Sequence, residues 1–229
     1  MRALLLAAGF GTRLKPLTDM IPKCLVPING TPLLEIWLER LSSAGIREYL
    51  VNTHYLADQV EDYIAHSKYK SLIKIVNEPN LLGTAGTLIA NIDFFQGEDG
   101  MLVHADNYCL ADLGAFQKAH FDRPKECLMT MMTFRSDDPH SCGIVELNQS
   151  GTVIGFHEKV TNPPGNLANG AVYILSAELL KKMSTNFHGA KDFSTEVLNR
   201  CVGNIYSYET SEIFIDIGTP KSYAEANIC

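Results

Sequence analysis

Hydrophobic and polar residues alternate between strand-like and helix-like stretches through the first half of the chain. Ala3 to Ala7 is a continuous apolar run, which is typical of a strand buried on both faces. Apolar positions then recur at helical spacing from Leu33 to Leu41, after Thr31 as the expected N-terminal cap and Pro32 as the expected first helical residue. Ile46 to Thr53 is the next expected strand. This order predicts a mostly parallel sheet with crossover helices.

The pattern continues downstream and becomes rich in strands in the second half. Further helices are expected at 56–64, 84–95, 112–121, 177–183 and 193–200. Further strands are expected at 72–76, 101–104, 127–134, 143–147, 153–158, 171–175, 205–208 and 213–217. The pattern predicts a Rossmann-like α/β fold, a mostly parallel mixed sheet flanked by helices. Because no repeat, low-complexity tract or linker marks a boundary, we expect a single domain over 1–229.

Composition and charge narrow the class of function. With 46% hydrophobic and 20% charged residues, the chain has the balance of a packed globule. Its formal charge of -7 argues against broad nucleic-acid binding, which needs a basic face. No stretch approaches the ~20 apolar residues of a membrane span, and glycines interrupt the apolar start before a signal peptide is complete. We therefore expect a cytoplasmic protein with neither nucleic-acid nor membrane partners.

The six cysteines form no close pair of the kind that zinc sites and redox motifs require. They are Cys24, Cys109, Cys127, Cys142, Cys201 and Cys229. Scattered reduced thiols are expected. Cys24 has no histidine or other base in a recognisable relation to it, so the pattern favours a packing role over a nucleophile.

A glycine-rich turn directly after the first strand is the strongest chemical feature. Gly9 and Gly11 let the backbone approach phosphate oxygens and point N–H groups at the anion. Arg13 and Lys23 add positive charge. The spacing lacks both the third glycine of a dinucleotide site and the glycine-lysine-serine/threonine ending of a Walker loop. A simple glycine turn with surface cations is the alternative interpretation of this segment alone.

Longer runs of sequence resemble the sugar-1-phosphate nucleotidyltransferase family. GFGTRLKPLTD followed by IPKCLVPING looks like the family signature, and NEP followed by LGTAG, within residues 77–86, looks like its nucleotide-reading loop. The later motifs lie at 104–107, 143–145, 158–160, 169–173 and 216–220. Each is modest, but they occur in the family's order and span nearly the whole chain. The resemblance implies a glycosyltransferase-A-like nucleotidyltransferase fold.

The resemblance also implies a reaction. A sugar phosphate oxygen attacks the α-phosphorus of a nucleoside triphosphate and pyrophosphate leaves, so the protein must bring two anions together and stabilise developing charge. Arg13 would stabilise the leaving pyrophosphate, and Lys23 would neutralise the α-phosphate and the attacking group. Asp106 and Asp216 would hold Mg²⁺, which prefers one or two carboxylates with phosphate oxygens and water. An Asx turn and a helix cap are the alternative roles for these two aspartates.

Other residues would contact the two substrates. The resemblance implies nucleotide-binding residues at Ala7, Gly9, Gly11, Thr12, Arg13, Glu78, Gly83 and Thr84. It implies sugar-phosphate-binding residues at Asn107, Gly143, Glu158, Lys159 and Asn169. Lys159 would meet the phosphate, while Glu158 and Asn169 would meet sugar hydroxyls; a solvated strand end and a turn are the alternatives. The nucleotide-binding half is expected at about 1–110 and the sugar-binding half at about 111–229.

Glu78 bears on the choice of nucleotide. A carboxylate only accepts hydrogen bonds, which suits the two adjacent donors of guanine, whereas uracil and thymine present a donor between acceptors and suit an amide. GTP is therefore the leading hypothesis. The LGTAG stretch also resembles that of mannose-1-phosphate guanylyltransferases and related heptose-phosphate enzymes. Uridylyl, thymidylyl or cytidylyl transfer is the alternative, because backbone groups near Ala7 and Gly83 could do most of the base recognition.

Two hypotheses from other classes remain open. A non-catalytic nucleotide-sugar sensor would keep the fold without turnover, although the full set of two cations and two aspartates speaks against it. A nicotinamide-dependent dehydrogenase is suggested only by the early glycines, and the missing third glycine weakens it. The chain ends soon after Thr219 and Pro220, so we expect a minimal catalytic domain, with a homodimer as one possible assembly.

Overall fold

The strands and helices of the computed structural model follow the sequence pattern closely over residues 1–228, which are the residues that the structure describes. The strands are β1 (Arg2–Leu6), β2 (Pro27–Ile28), β3 (Thr31–Pro32), β4 (Tyr49–Thr53), β5 (Ile73–Asn77), β6 (Gly100–His104), β7 (Asn107–Cys109), β8 (Met129–Arg135), β9 (Gly143–Leu147), β10 (Val153–Glu158), β11 (Leu167–Leu175), β12 (Ile205–Glu209) and β13 (Phe214–Asp216). The helices are α1 (Leu33–Ser43), α2 (Ala57–His66), α3 (Thr84–Ala90), α4 (Leu113–Asp122), α5 (Ala177–Asn186), α6 (Asn199–Cys201) and α7 (Pro220–Ala226). The predicted α/β class is confirmed.

The chain folds into two compact units that are both discontinuous in sequence. Unit A comprises Arg2–Leu81, Val103–Leu113 and the described residues from Glu212 onward. Unit B comprises Leu82–Leu102 and Gly114–Ser211, together with Met1. The functional assignment of sequence halves at about 1–110 and 111–229 stays a prediction.

Unit A is built on parallel strands. Their order is β1-β4-β5, with β1 parallel to β4 and β4 parallel to β5. The apolar stripe of α1, including Leu34, Trp37 and Leu41, is fully buried, which is why this segment folds as an amphipathic helix. Because β1, β4 and β5 run in the same direction, the loops after their carboxyl ends open at one edge of the sheet.

The far end of the chain also belongs to unit A. Strand β13 pairs antiparallel with β7, and Asp216 lies opposite Asn107 in the register. Helix α7 follows, and Thr219 caps it: its hydroxyl accepts the N–H of Ser222, whose own side chain reaches back to the cap. The alternative role of Asp216 as the helix cap is therefore wrong.

Unit B is dominated by antiparallel pairs. Strand β9 pairs with both β10 and β11, β8 pairs antiparallel with β11, and β12 adds to β8 in parallel. Strand β11 bulges between Asn169 and Tyr173, where Ala171 has a φ of 52°. The bulge bends the strand and re-aims the side chains beside it.

Two local predictions about helix ends are wrong. Thr31 does not cap α1, because Thr31 and Pro32 form β3 against Pro27–Ile28 and the helix begins at Leu33. The helix expected over 84–95 ends at Ala90, and a 3₁₀ turn follows at Ile92–Phe95. Asn91 explains this end, since its side-chain nitrogen donates to the Thr87 carbonyl at 2.9 Å.

Among residues 1–228, no helix is both long enough and apolar enough to cross a bilayer.

Candidate active site

The turn at Gly9–Gly11 of unit A requires a glycine at position 11. Gly11 has a φ of 62°, a conformation that residues with a Cβ rarely adopt. A Cβ there would also lie 2.9 Å from Thr18 Cγ2 and 3.2 Å from Lys23 Cβ. The Thr18 hydroxyl donates to the Gly11 carbonyl at 2.8 Å and closes the turn. This packing brings the turn against Lys23, while Gly9 and Thr12 lie exposed.

Lys23 is a buried cation held between two carboxylates. It lies in a 3₁₀ turn at Lys23–Leu25, and only 8% of its side chain is exposed. Its Nζ lies 2.8 Å from Asp106 Oδ2 and 3.6 Å from Asp216 Oδ1. A buried charge of this kind is stable only when paired. Lys23 is thus fixed at one point of unit A, unlike a solvated surface lysine.

Arg13 adds a second cation to the same cluster. Its Nη2 lies 3.4 Å from Asp216 Oδ2, and its side chain is 64% exposed. The guanidinium lies over Gly218, where a Cβ would be only 2.8 Å from Cζ and both terminal nitrogens. Gly218 therefore leaves the space that Arg13 occupies. The sequence pattern gave no separate role to Gly218, although it lies inside the 216–220 motif.

The two aspartates reach the cluster from different strands. Asp106 lies in the turn between β6 and β7, and Asp216 is the last residue of β13. Desolvation acts to raise the pKa of Asp106, but the charges of Lys23 and His104 and the Lys23 hydrogen bond outweigh it and hold the pKa below its ordinary value. Asp106 is therefore a carboxylate at neutral pH.

A divalent cation fits this donor set only together with ligands from a substrate. Within residues 1–228, no group of three or more histidine, cysteine, aspartate or glutamate side chains could hold a metal alone. Asp106 and Asp216 instead offer two carboxylates that share one ammonium and are 42% and 50% exposed. Two carboxylates completed by phosphate oxygens and water are the ligands that suit a small, hard cation.

The carboxyl ends of β1, β4 and β5 carry a second, buried network in unit A. Ala7 donates its N–H to Asn52 Oδ1 at 2.8 Å, and Asn52 Nδ2 donates to Glu78 Oε1 at 3.0 Å. The Glu78 carbonyl contacts His54 Nδ1 at 2.7 Å. Asn52 is absent from the sequence predictions, although a lone polar residue near the end of an apolar strand (YLVNT) is a recognisable signal.

Asn107 lies beside the aspartates but is itself buried, with 7% of its surface exposed. Its carbonyl accepts the indole N–H of Trp37 at 2.8 Å, and it pairs with Asp216 across β7 and β13. Cys24 is also buried, and burial raises the pKa of its thiol to about 12. The packing role predicted for Cys24 agrees with this inert environment.

Unit B brings together most of the predicted sugar-side residues on neighbouring strands. Glu158 lies opposite Gly143 in the β9–β10 register, and a Cβ on Gly143 would be 2.6 Å from Glu158 Oε2. Lys159 has a φ of 49° and places its Nζ 3.4 Å from Glu158 Oε1. Ala168 pairs with Ile144, which sets Asn169 near the same end of β9.

Asn169 is held by two hydrogen bonds at the bulge of β11. Its Nδ2 donates to the Tyr173 hydroxyl at 2.7 Å, and its Oδ1 accepts the N–H of Ala171 at 2.9 Å. Tyr173 is fully buried, and desolvation raises the pKa of its hydroxyl. The Ala171 N–H, which can only donate, fixes the orientation of the Asn169 amide, and the Tyr173 hydroxyl accepts from its other end; the sequence predictions gave Tyr173 no separate role within the 169–173 motif.

Gly83 and Thr84 begin α3 within unit B. Gly83 has a φ of 81°, and a Cβ on it would collide with the Lys191 carbonyl oxygen, which accepts the N–H of Ala85 at 2.9 Å. The Thr84 hydroxyl accepts the N–H of Phe193 at 2.7 Å. These contacts explain why a glycine is needed here.

The structure thus sorts the sixteen predicted site residues into two groups. Unit A contains Ala7, Gly9, Gly11, Thr12, Arg13, Lys23, Glu78, Asp106, Asn107 and Asp216. Unit B contains Gly83, Thr84, Gly143, Glu158, Lys159 and Asn169. Unit A joins Arg13, Lys23, Asp106 and Asp216 in one ion-pair cluster. The binding and catalytic roles of all these residues stay predictions.

Comparison with known proteins shows which family the chain matches. The model of the family described as "Nucleotidyl transferase" matches residues 2–228. A D-glycero-alpha-D-manno-heptose 1-phosphate guanylyltransferase of Campylobacter jejuni is 29% identical over 229 residues, covering 97% of each chain. A mannose-1-phosphate guanyltransferase of Schizosaccharomyces pombe is 29% identical over 236 residues. That match covers 97% of this chain, which spans 62% of the length of the yeast protein.

A solved structure superposes on nearly the whole length of this chain. The crystal structure of HddC from Yersinia pseudotuberculosis, complexed with GMP-PN, superposes with a TM-score of 0.83 at 26% sequence identity. The superposition covers 99% of this chain and 98% of that chain.

Proposed function

Because the chain belongs to the nucleotidyl transferase family, we propose that it joins a nucleoside triphosphate to a sugar 1-phosphate and releases pyrophosphate. GTP is the favoured nucleotide, and a mannose- or heptose-type phosphate is the favoured sugar substrate. The relatives named as guanylyltransferases of mannose 1-phosphate and of a manno-heptose 1-phosphate support both choices.

The ion-pair cluster of unit A carries the proposal. Lys23 is buried, positively charged and held at 2.8 Å and 3.6 Å from two carboxylates, with Arg13 on the outer side of Asp216. The side chains of Asp106, Asp216 and Arg13 are 42%, 50% and 64% exposed, so the cluster is accessible from solvent. An exposed edge of fixed charges is what a polyphosphate needs.

Each group has a defined task in the proposed reaction. A sugar phosphate oxygen attacks the α-phosphorus in line, the bond to the β-phosphate breaks, and pyrophosphate leaves with the bonding electrons. Lys23 lowers the repulsion between the two reacting phosphates by lying beside them, and Arg13 stabilises the charge that develops on pyrophosphate. The Gly9–Gly11 turn presents backbone N–H groups to the triphosphate. The attacking oxygen is already ionised, so no general base is required.

Enzymes of this family generally use a divalent metal, and we propose Mg²⁺ at Asp106 and Asp216. When bound, the metal would supply Lewis-acid stabilisation of the charge on the α-phosphate. The two carboxylates would supply its protein ligands and the substrate its remaining oxygens. Lys23 pairs with both carboxylates in the structure, so it would exchange part of this pairing for phosphate oxygens when the substrates bind.

The remaining predicted residues would recognise the base and the sugar phosphate. We assign base selection to Glu78, whose carboxylate suits the adjacent donors of guanine. Gly83 and Thr84 would complete the nucleotide side. On the sugar side, Lys159 would meet the phosphate, and Glu158 and Asn169 the hydroxyls. The two sequence halves would then correspond broadly to nucleotide and sugar recognition.

A substrate matrix tests the proposal. GTP, ATP, UTP, CTP and dTTP are each combined with mannose 1-phosphate, a manno-heptose 1-phosphate or glucose 1-phosphate, with Mg²⁺ or with EDTA. The expected result is metal-dependent pyrophosphate release, greatest with GTP and a manno-configured sugar phosphate, with the nucleotide sugar identified by mass spectrometry. Turnover that prefers a pyrimidine would shift the function to uridylyl, thymidylyl or cytidylyl transfer and remove the Glu78 assignment.

Absence of pyrophosphate release across the whole matrix, together with measurable binding of a nucleotide sugar, would replace the enzyme with a sensor. Absence of both would refute a role in nucleotide-sugar chemistry. Cytoplasmic location and a homodimeric assembly remain predictions, which fractionation and light scattering can test.

A further inference from the structure

A cavity of about 240 Å³ lies within unit B, where the end of α5 meets α6. Residues of these two helices line it, together with Leu128 before β8 and Asn204 before β12. Within residues 1–228, none of the candidate site residues is among those that line the cavity. Its volume is below the roughly 300–1,000 Å³ of pockets that hold drug-sized ligands, so it suits a compact molecule.

The cavity lies at the start of β8, away from the candidate sugar-side residue Asn169. Leu128 directly precedes β8, whereas Asn169 pairs with Thr133, five residues further along the chain. At about 3.3 Å per residue, Leu128 and Thr133 are separated by about 17 Å along the strand. The cavity is therefore a different site from the one that contains Asn169.

Apolar side chains form the floor of the cavity. Leu179, Phe187 and Cys201 all line it and are all buried. Burial raises the pKa of the Cys201 thiol to about 11, so this side chain carries no charge at neutral pH. The floor therefore favours an apolar ligand surface.

Arg200 forms one wall of the cavity. Its guanidinium carbon lies 4.2 Å from the centroid of the Phe187 ring, and its Nη2 donates to the Asn186 carbonyl at 2.7 Å. This hydrogen bond caps the last residue of α5, which is a structural role, but it occupies one nitrogen only. Within residues 1–228, Nε and Nη1 of Arg200 have no hydrogen-bond partner, and no carboxylate pairs with the guanidinium. A guanidinium that is held in place with two unused nitrogens is a strong donor for an anion.

Lys182 brings a second cation to the cavity. Its Nζ pairs with Glu178 Oε1 at 2.6 Å, but the two side chains are 46% and 61% exposed. Exposed pairs of this kind are weak, so Lys182 can turn to a ligand at little cost. No aspartate or glutamate among residues 1–228 lines the cavity, although the chain has 26 of them. The amides of Asn186 and Asn204 complete a polar rim that carries only positive charge.

We propose that this cavity is a binding site for a small organic anion, whose phosphate or carboxylate group contacts Arg200 and Lys182 and whose apolar body covers Leu179 and Phe187. The guanidinium can bind either anionic group through two parallel hydrogen bonds. The apolar floor adds burial that inorganic phosphate alone does not gain. The site is independent of the proposed nucleotidyl transfer, because it uses none of the residues assigned to that reaction.

Titration with matched small molecules tests the charge and the apolar body separately. Phenyl phosphate and benzoate carry both, benzyl alcohol lacks the charge, and inorganic phosphate lacks the ring. Isothermal titration calorimetry measures the Kd at a constant ionic strength of about 0.15 M, which screens distant charges. The side-chain N–H NMR signals of Arg200 and Asn204 show whether a probe binds at this cavity or at the ion-pair cluster of unit A.

At least one of the two organic anions should shift both NMR signals and bind with a Kd of about 1 mM or below. Benzyl alcohol and inorganic phosphate should each bind about tenfold more weakly or worse, because each lacks one of the two matched features. The tighter of phenyl phosphate and benzoate identifies the anionic group that the cavity prefers.

Charge substitutions give predictions of opposite sign. Arg200→Gln keeps a donor for the Asn186 carbonyl but removes the charge, so the Kd of the tighter anion should rise about tenfold. Glu178→Gln releases Lys182 from its partner, so the same Kd should fall about threefold. A purely structural role for Arg200 and Lys182 would change thermal stability without either effect on binding.

Two control variants match these substitutions. Arg47 also donates to a backbone carbonyl, that of Ser42, but it lies in unit A, so Arg47→Gln removes an equivalent charge elsewhere. Lys181 is an exposed neighbour of Lys182 on α5 and does not line the cavity. Arg47→Gln and Lys181→Gln should both keep the Kd within about 1.5-fold of the wild-type value, because solvent and salt screen their charges.

Three results would each overturn the inference. The first is the absence of shifts at the cavity with either organic anion up to about 10 mM. The second is binding of benzyl alcohol or inorganic phosphate as tight as that of the organic anions. The third is an unchanged Kd in folded Arg200→Gln; if that variant does not fold, an unchanged Kd in Glu178→Gln decides against the inference instead. Absence of nucleotidyl transfer would refute the proposed function and leave this inference standing, so the two fail separately.

Discussion

The ion-pair cluster of unit A and the β11 bulge of unit B hold their candidate site residues in different ways. In unit A, Lys23 and Arg13 are held by ion pairs to two aspartates whose outer faces remain exposed. In unit B, Asn169 is held by a neutral tyrosine hydroxyl and a backbone N–H at a strand bulge. Ion pairs can be exchanged for phosphate oxygens, whereas a neutral amide in a fixed orientation mainly defines shape. Substitutions in the ion-pair cluster should therefore change the rate, and substitutions at the Asn169 bulge the affinity.

The largest expected effect comes from Lys23→Met, which keeps the length of the side chain and removes its charge. Turnover should fall by about 10²- to 10³-fold, because the repulsion between the reacting phosphates is no longer offset. Steady-state pyrophosphate release and thermal unfolding measure rate and folding. Lys68→Met is the matched control, since Lys68 also contacts two carboxylates, at 2.7 and 3.5 Å, but is 58% exposed. Near-normal turnover of folded Lys23→Met would remove the central assignment.

Asp106→Asn should have the next largest effect. The Mg²⁺ concentration for half-maximal activity should rise about tenfold or more, because an amide is a weaker ligand for a hard cation than a carboxylate. A metal titration at saturating substrates measures it. Asp122→Asn removes a carboxylate that pairs with Lys118 on the surface and should leave the titration unchanged. An unaltered metal requirement in Asp106→Asn would exclude this carboxylate from the metal site.

Gly218→Ala should act on catalysis without acting on stability. The three atoms nearest to the new methyl group would all belong to the end of the Arg13 side chain, which can move aside. We expect turnover to fall by about tenfold and the KM for pyrophosphate in the reverse reaction to rise, because small displacements of a catalytic group are costly. Gly165→Ala is the control, since nothing lies within 4 Å of its added Cβ. Equal behaviour of the two variants would argue against a role for Arg13 at pyrophosphate.

Tyr173→Phe should give the smallest effect and tests unit B. Loss of the hydroxyl removes the acceptor of Asn169, so the KM for the sugar phosphate should rise about threefold while kcat changes little. Tyr49→Phe removes a buried hydroxyl that donates to the Ile46 carbonyl at 2.7 Å. Both variants should lose about 1 kcal/mol in the free energy of unfolding, but only Tyr173→Phe should change the KM. A fall in kcat alone would contradict the contrast between the units.

The sequence predicted most elements because their physical cause is local. Hydrophobic periodicity predicts the apolar run of β1 and the apolar stripe of α1, and both elements occur within one or two residues of where they were expected. Thr31 was misassigned because a cap signal and a short strand compete for the same residue, and pairing with Ile28 prevails. The outcome depends on which partner lies near Thr31 in space. The hydrophobic periodicity of the sequence does not contain that information.

The candidate site shows the same difference between features that the sequence predicts and features that depend on spatial partners. Resemblance to a family identified Lys23 and Asp106, but not how deeply Lys23 is buried. Asn52 was not predicted, and Tyr173 and Gly218 were given no separate role within their motifs, because each contacts a predicted residue through packing that sequence spacing does not reveal. A polar residue inside an apolar strand is the one signal that could have indicated Asn52 in advance.

The pairing of β13 with β7 has a consequence for biosynthesis. Arg13 and its partner Asp216 are 203 positions apart, so a ribosome releases the first long before the second. A nascent chain that stops before Asp216 contains the glycine turn and Lys23 but only one of the two aspartates. The ion-pair cluster closes only after translation has passed residue 216, which makes the last stage of synthesis the step at which the charged centre is assembled.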